Sequence, residues 1–328
     1  MTFLHEHWKD DHILSWHREL MDWQHFAADG EYNYLVAWRD EVVLGVLGYI
    51  PTHHFDPDLG ANVTFLALWK VREDAGVAGL GIALLRQLEK LHADSVIAVS
   101  GIRESALPLY RALRYTVGGF RQHFVVNPNA GQTIATLPSG FKAPAPRPGG
   151  AVFRPLAAAD ILGLCRDLDV GLRAGVLPRK TPRYFCNRFL LHPIYRYEVH
   201  AIHVSERLCG LIASRLAPAK GSHALRIVDF YGTDATFAQC GSAIRQLLRQ
   251  TGAEYADLFS VGLSDEALAA AGFAPVDKDE SVIVPNHFEP FEGSKNGSIA
   301  FAFCTDHPVV LFRADGDQDR PNLVSRSS

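Results

Sequence analysis

Val63-Thr64-Phe65-Leu66-Ala67-Leu68-Trp69-Lys70-Val71, then Gly76-Val77-Ala78-Gly79-Leu80-Gly81-Ile82-Ala83-Leu84-Leu85, is the stretch from which the rest of the chain can be read. Its first part is apolar and partly β-branched, the pattern of a buried strand. Its second part places three glycines ahead of a helix whose Leu84, Leu85, Leu88 and Leu91 share one face. Glycines there let the backbone turn sharply and bring bare N–H groups to a helix N-terminus. Orphan donors and the positive end of the helix dipole suit a pyrophosphate. The competing reading is a plain strand-to-helix connection.

Two familiar phosphate loops do not fit. A Walker loop needs Lys-Ser/Thr after its last glycine, where this chain has Ile82-Ala83. A dinucleotide fingerprint needs G-x-G-x-x-G, whereas the order here is Gly76-x-x-Gly79-x-Gly81. The spacing resembles the acyl-CoA loop of the GNAT superfamily of N-acetyltransferases, Gln/Arg-x-x-Gly-x-Gly/Ala followed by two leucines. Gly79, Gly81, Leu84 and Leu85 match, and Gly76 replaces the usual Gln or Arg. The resemblance implies acetyl-CoA or another acyl-CoA as acyl donor. Its contacts would come from Leu68, Trp69 and Val71 on the strand and from Gly76, Val77, Ala78, Gly79, Leu80, Gly81 and Ile82 in the loop.

A second partial motif follows. Val96 to Val99 reads as a strand and Ala106 to Leu113 as a short helix, with Pro108 in its first turn. The helix is similar to the family's Asn-x-x-Ala-x-x-Leu-Tyr-x-x-x-Gly-Phe signature. Ala106, Leu109 and Tyr110 match; Arg103 stands for Asn, and Arg114-Tyr115 for Gly-Phe. By that resemblance Tyr110 protonates the departing thiolate; by its neighbours Leu109 and Leu113 it reads equally as core.

The chain has 328 residues, 48% of them hydrophobic, enough for two packed cores. A net charge of -4 argues against general nucleic-acid binding. No apolar run reaches the ~20 residues of a membrane span, and the first residues do not read as a signal peptide. Cys165, Cys186, Cys209, Cys240 and Cys304 form no C-x-x-C pair and read as reduced, buried thiols of a cytoplasmic protein.

Toward the N-terminus, Asp11 is expected to cap a first helix. His5, His7, His12 and His17 match no zinc spacing, so no metal is expected, and they read as solvated surface residues. Asp22-Trp23-Gln24-His25 reads as a half-buried helix end or as part of a site. Tyr34–Trp38 and Val42–Ile50 form a predicted hairpin, followed by the polar loop Pro51-Thr52-His53-His54-Phe55-Asp56-Pro57-Asp58. In the GNAT arrangement that loop borders the acceptor, which makes His25 and His53 candidate substrate contacts and His54 a candidate catalytic residue.

Pro128 to Gly150, rich in Pro, Gly and Ala, reads as a linker. Beyond it the order of elements repeats: a helix over 160–172, a hairpin (Glu198–Val204, Leu208–Arg215), a central strand (Ala224–Tyr231), a helix (Phe237–Gln250), a strand (Tyr255–Ser260), a helix (Ser264–Ala271) and Gly272-Phe273. The expected fold is therefore α/β (α+β), two tandem GNAT-like units, each a mixed, mostly antiparallel sheet flanked by helices. The expected boundaries are 1–128, linker 129–150, 151–290, and a C-terminal hairpin and tail over 291–328. The second copy lacks a glycine turn, so CoA is expected in the first alone. Asp229 is a further catalytic candidate, and Tyr231 and Asp257 are acceptor candidates.

Ile299–Phe303 and Val309–Arg313 are expected to close the chain as a hairpin. In the tail, Asp315-Gly316-Asp317-Gln318-Asp319-Arg320 lacks the Gly and Glu of a calcium loop. Asp317, Gln318 and Arg320 are expected to fold back toward the acceptor. The string, with Trp8 to Leu14 and Leu47-Gly48-Tyr49-Ile50-Pro51, resembles two-unit GNAT proteins found with surface-polysaccharide and nucleotide-sugar genes. That likeness implies acyl transfer to the amine of a nucleotide-linked amino sugar. An amino acid, peptide or aminoglycoside acceptor, or a non-catalytic acyl-CoA or sugar-nucleotide binding role, stays open beside it.

Overall fold

The computed structural model describes all residues except 9–10, 165–167, 169–174, 277–280 and 323–328. The chain divides into two compact units. The first comprises Met1–Gly118, Ala300–Asp306 and the chain from Asp315 onward; the second comprises Gly119–Ile299 and His307–Ala314.

The first unit opens with helix α1 (Thr2–His7), a 3-10 turn (Ile13–Ser15) and α2 (Arg18–His25). Two histidines make these starts. His12 Nδ1 accepts from Leu14 N–H at 3.3 Å and His17 Nδ1 accepts from Leu20 N–H at 3.2 Å. They fill the role expected of Asp11, and His12 is buried rather than solvated. Strands β1 (Tyr34–Arg39) and β2 (Val42–Pro51) pair through a tight turn. Asp40 (φ 50°) and Glu41 (φ 63°) supply the left-handed pair whose twist suits a two-residue hairpin. Then come β3 (Val63–Val71), α3 (Leu80–Leu91), β4 (Val96–Ile102), α4 (Leu107–Ala112) and β5 (Thr116–Gly119). Leu84, Leu85 and Leu88 of α3 pack on Leu47, Leu66, Ile97 and Val99 as the predicted stripe, whereas Leu91, expected on the same face, is exposed at the helix end.

The second unit contains β6 (Arg121–Val126), β7 (Ala151–Leu156), α5 (Ala158–Leu164), α6 (Pro182–Phe185) leading into a π turn (Cys186–Leu190), β8 (Glu198–Val204) and β9 (Arg207–Ala219). It continues with β10 (Ser222–Gly232), α7 (Asp234–Ala238), α8 (Gly241–Thr251), β11 (Tyr255–Val261), α9 (Asp265–Ala270), β12 (Ala274–Pro275) and the small pair β13 (His287–Phe288) and β14 (Phe291–Glu292). Two late strands, β15 (Ala300–Phe303) and β16 (Leu311–Phe312), follow.

The strand orders are β1-β2-β3-β4-β15-β5 in the first unit and β12-β6-β11-β10-β9-β8-β7 in the second, with β16 also on β11. Each sheet has one parallel pair at its centre, β3/β4 and β10/β11, and antiparallel neighbours outside it. This is the expected tandem α/β architecture.

Three expectations change. β15 and β16 form no hairpin: β15 pairs with β4 and β16 with β11, so each completes a different sheet. The stretch 128–150 is packed into the second unit, with Ile134 and Ala135 buried and Arg147 N–H on Ala270 C=O, so it is no linker. The boundary accordingly falls near Gly119, because β6 pairs with β11. Of the helix expected over 160–172, Ala158–Leu164 is seen and the remainder lies largely outside the described residues. Among the described cysteines only Cys240 is fully buried, and Cys304 is exposed.

Candidate active site

The parallel pairing of β3 with β4 runs from Val63↔Val96 to Leu66↔Val99 and stops. β3 continues to Val71 on β2, while β4 continues to Ile102 on β15. At the parting point Ala67 is an extra residue: Gly48 faces Leu68 and Tyr49 faces Leu66. A bulge of this kind bends its strand away from a neighbour. The result is a V between the arms, into which Leu68, Trp69 and Val71 bring an edge of β3 that no strand covers. Backbone N–H groups on that edge can donate to a carbonyl oxygen that gains charge during reaction.

The loop after β3 ends at the N-terminus of α3. Gly76 (φ 63°) and Gly79 (φ 75°) are left-handed, and a β-carbon at Gly79 would meet nothing within 4 Å. Gly81 is tight for another reason, since a β-carbon there would lie 3.1 Å from Trp69 Nε1. No side chain caps α3 and no acid occupies its first turn, so its leading N–H groups keep their affinity for an anion. Val77, Ala78 and Ile82 are exposed around it.

Trp69 links this loop to the tyrosine. Its ring meets Tyr110 edge-on, centroids 6.4 Å apart, and Tyr110 meets Tyr115 at 5.5 Å. The Tyr110 hydroxyl makes no hydrogen bond among the described residues, and burial pushes its pKa up to about 12. It holds its proton at neutral pH. Tyr115, by contrast, donates to Glu89 Oε1 at 3.0 Å, and burial and that carboxylate raise its pKa further.

The second unit repeats the frame and closes it. β10 and β11 pair in parallel only from Leu225↔Ala256 to Ile227↔Leu258, and Val228 is the extra residue that follows. Here the V is filled: β16 pairs with Ser260 and Val261, and Ala314 N–H donates to Val228 C=O at 2.9 Å. The next helix, α7, is capped by the Thr233 side chain and carries Asp234 in its first turn, which repels an anion.

No protein-family model and no curated protein sequence matches the chain. Solved structures do. That of a GCN5-related N-acetyltransferase from Anabaena variabilis superposes with TM-score 0.51 at 14% identity, over 83% of this chain and 62% of that one. Another GCN5-related N-acetyltransferase, from Kribbella flavida, gives 0.47 at 14% identity over 88% and 62%. The chain carries the fold of the GCN5-related N-acetyltransferases. It spans about three fifths of the length of these two GNAT chains.

On the sheet face opposite α3, the GNAT frame of the first unit receives the tail. A buried relay holds it. His25 Nδ1 lies 3.2 Å from Tyr49 C=O, to which it donates, so Nε2 accepts from Gln24 Nε2 at 3.0 Å; the other Gln24 N–H donates to Asp317 Oδ1 at 3.0 Å. This tautomer and amide orientation follow from the only acceptor role open to the backbone oxygen. Arg320 also pairs with Asp317. Gln318 Nε2 donates to Ser100 C=O at 3.3 Å. Two hydroxyls on the same face, Tyr34 OH and Ser100 Oγ, are buried without a hydrogen-bond partner among the described residues.

Several candidates change role. His25 is 0% exposed and anchors the tail, so it is no substrate contact. His54 Nε2 lies 2.9 Å from Trp23 C=O and Nδ1 lies 3.4 Å from Asn33 Nδ2; with both nitrogens engaged it fixes the loop rather than taking a proton. Asp229, 0% exposed, is held by Lys180 Nζ at 2.7 and 2.9 Å in the second unit. Asp257 is paired with Arg226 at 2.9 and 3.1 Å and also accepts from Gln122. Both are internal ion pairs, and Tyr231 is buried on the same strand as Asp229. Tyr34, Ser100, Lys180 and Arg226 were not legible as site or partner residues from sequence. For Lys180 and Arg226 the partners lie 49 and 31 residues away, which no local pattern reports.

His53 stacks on His92, ring centroids 6.4 Å apart, with Tyr49 edge-on to His92. Burial lowers both pKa values from 6.5; for His53 a Gly60 backbone hydrogen bond opposes this, and for His92 the His53 charge adds to it. The unfolded chain therefore binds these protons first. Their contribution is complete above pH 6.5 and is lost as the pH falls below it. The expected result is a falling melting temperature from pH 7 to pH 5, with a shallower fall in His92→Gln. Equal slopes for both proteins would exclude this pair as the cause.

Proposed function

We propose that the first unit is an N-acyltransferase that moves an acyl group from acyl-CoA to a primary amine, in the best-fitting case the amine of a nucleotide-linked amino sugar. The observation that carries this reading is the contrast between the units: one V is open beside an uncapped helix N-terminus, and the other is filled beside a capped, acidic one. One molecule of acyl-CoA per chain follows. The neutral amine attacks the thioester carbon, the N–C bond forms, and the uncovered edge of β3 holds the oxygen. As the C–S bond breaks, Tyr110 donates its proton to sulfur; the attacking nitrogen sheds one proton to solvent as the amide forms, and solvent returns a proton to the tyrosine. An amine that titrates near ~8 is already about one tenth neutral at pH 7, so a strong base adds little.

On the acceptor side, Asp317 is fixed by Gln24 and Arg320. A thiol-release assay across amino-sugar nucleotides, amino acids, peptides and aminoglycosides tests the reading. Turnover of only the last three groups would replace the sugar nucleotide as acceptor. Acyl-CoA binding without any thiol release would favour the non-catalytic role.

The loop gives a separate check. Gly79→Val is a poor probe, because any side chain at φ 75° costs on the order of 1 kcal/mol in the fold itself. Ala78→Glu instead puts a carboxylate on an exposed position beside the α3 N-terminus. Calorimetry should show acyl-CoA affinity down roughly 10-fold, with 1:1 stoichiometry in the wild type and little change in melting temperature. Two sites per chain, or unchanged affinity in Ala78→Glu, would contradict the placement.

A further inference from the structure

We infer that Gln318 limits the acyl group to a short one by closing the far side of the V in the first unit. This rests on the acyl-transfer reading above. Backbone alternation along β4 fixes where Gln318 lies. Val96 N–H donates to Asn62 C=O, on the β3 side, and Ile97 C=O accepts from Cys304 N–H, on the β15 side. Even-numbered residues of β4 therefore turn their backbone groups toward β3. Ser100 is the first such residue beyond the last parallel pair, Leu66↔Val99. Its carbonyl would be unpaired in the open V, and the Gln318 side chain takes it at 3.3 Å.

The chain is shaped to admit this amide. Gly101 is left-handed (φ 80°), and a β-carbon there would sit 1.8 Å from Gln318 Nε2. Gly316 lies against Phe65, in the paired stretch of β3 just before the V opens, where a β-carbon would be 3.3 Å from the ring. Two glycines thus seat the tail, one beneath the V and one on its β4 arm. A thioester whose oxygen rests on the edge of β3 sends its acyl carbons across the V toward β4, onto the Gln318 amide. The Ser100 Oγ, buried and without a hydrogen-bond partner among the described residues, faces the tail side there. On this inference an acetyl group stops short of Gln318 and a longer chain meets it.

The test measures dissociation constants of acetyl-, butanoyl- and hexanoyl-CoA on the full chain by calorimetry. Wild type should bind hexanoyl-CoA roughly 10-fold or more weakly than acetyl-CoA. Gln318→Ala should reduce that gap to about threefold or less, whereas Gln318→Met, which keeps the volume and loses the amide, should preserve it. Equal affinities in wild type, or an unchanged gap in a Gln318→Ala protein that melts like wild type, overturns the inference. The wild-type comparison stands even if the Ala variant does not fold. Failure of wild type to bind acetyl-CoA at all would remove the acyl-transfer reading, and is thereby distinct from failure of the length limit.

Discussion

Tyr110→Phe is expected to lower kcat about 100-fold or more while the dissociation constant of acyl-CoA stays within about twofold. The substitution keeps the ring against Trp69 and Tyr115 and removes one proton. Because the hydroxyl holds no partner among the described residues, its loss orphans no other group, and the melting temperature should not fall. A pKa near 12 means the acid form persists across the working range, so no loss of activity from Tyr110 titration is expected below about pH 10. Tyr115→Phe is the matched control. Its proton is committed to Glu89 Oε1, so kcat should hardly move. A drop of under threefold in Tyr110→Phe, or equal drops in the two variants, would return Tyr110 to the core.

Asp229→Ala should destabilise the second unit by about 3–5 kcal/mol, because it breaks a fully buried ion pair with Lys180. Lys180 and Asp229 are 2% and 0% exposed, and the aromatic faces of Tyr184 and Phe312 lie beside the ammonium. Those rings can attract a cation, but they do not replace its counter-ion. The double variant Lys180→Met/Asp229→Leu should recover most of the loss, since a buried pair gains little over apolar residues of similar size. Denaturant melts would settle this. A single-variant loss below about 1 kcal/mol would mean that the ammonium finds water or another partner.

The central frame was legible in the sequence because it is written locally. The run Val63–Val71, the glycine loop and the leucine stripe of α3 appear where periodicity and loop chemistry place them. The duplicated order of elements in the second half was legible for the same reason. The bulges at Ala67 and Val228 were not, since a bulge is a relation between two strands and neither residue is unusual in itself. His12 and His17 were misread because a cap depends on the direction of a ring nitrogen rather than on hydrophobic spacing. Asp229 and Asp257 looked like ligands because an acid on a strand shows no partner until the chain is folded. The tail's folding back was anticipated, but toward the acceptor and from an anchoring hairpin that does not form; its place in the first unit was not. The buried relay through Gln24 and His25 that fixes it was not, because it joins residues 293 positions apart.

The traded strands bear on how this protein can be made. β6 leaves for the sheet of the second unit, and the place beside β4 in the first is taken by β15, which lies almost two hundred residues downstream of β4. During synthesis the first sheet must therefore wait, with the β4 edge bare, until β15 (Ala300–Phe303) has emerged from the ribosome. A bare edge of this kind invites pairing with another nascent chain. The first unit cannot mature ahead of its companion, and a gene cut at the proline-rich stretch would encode two incomplete sheets rather than two domains.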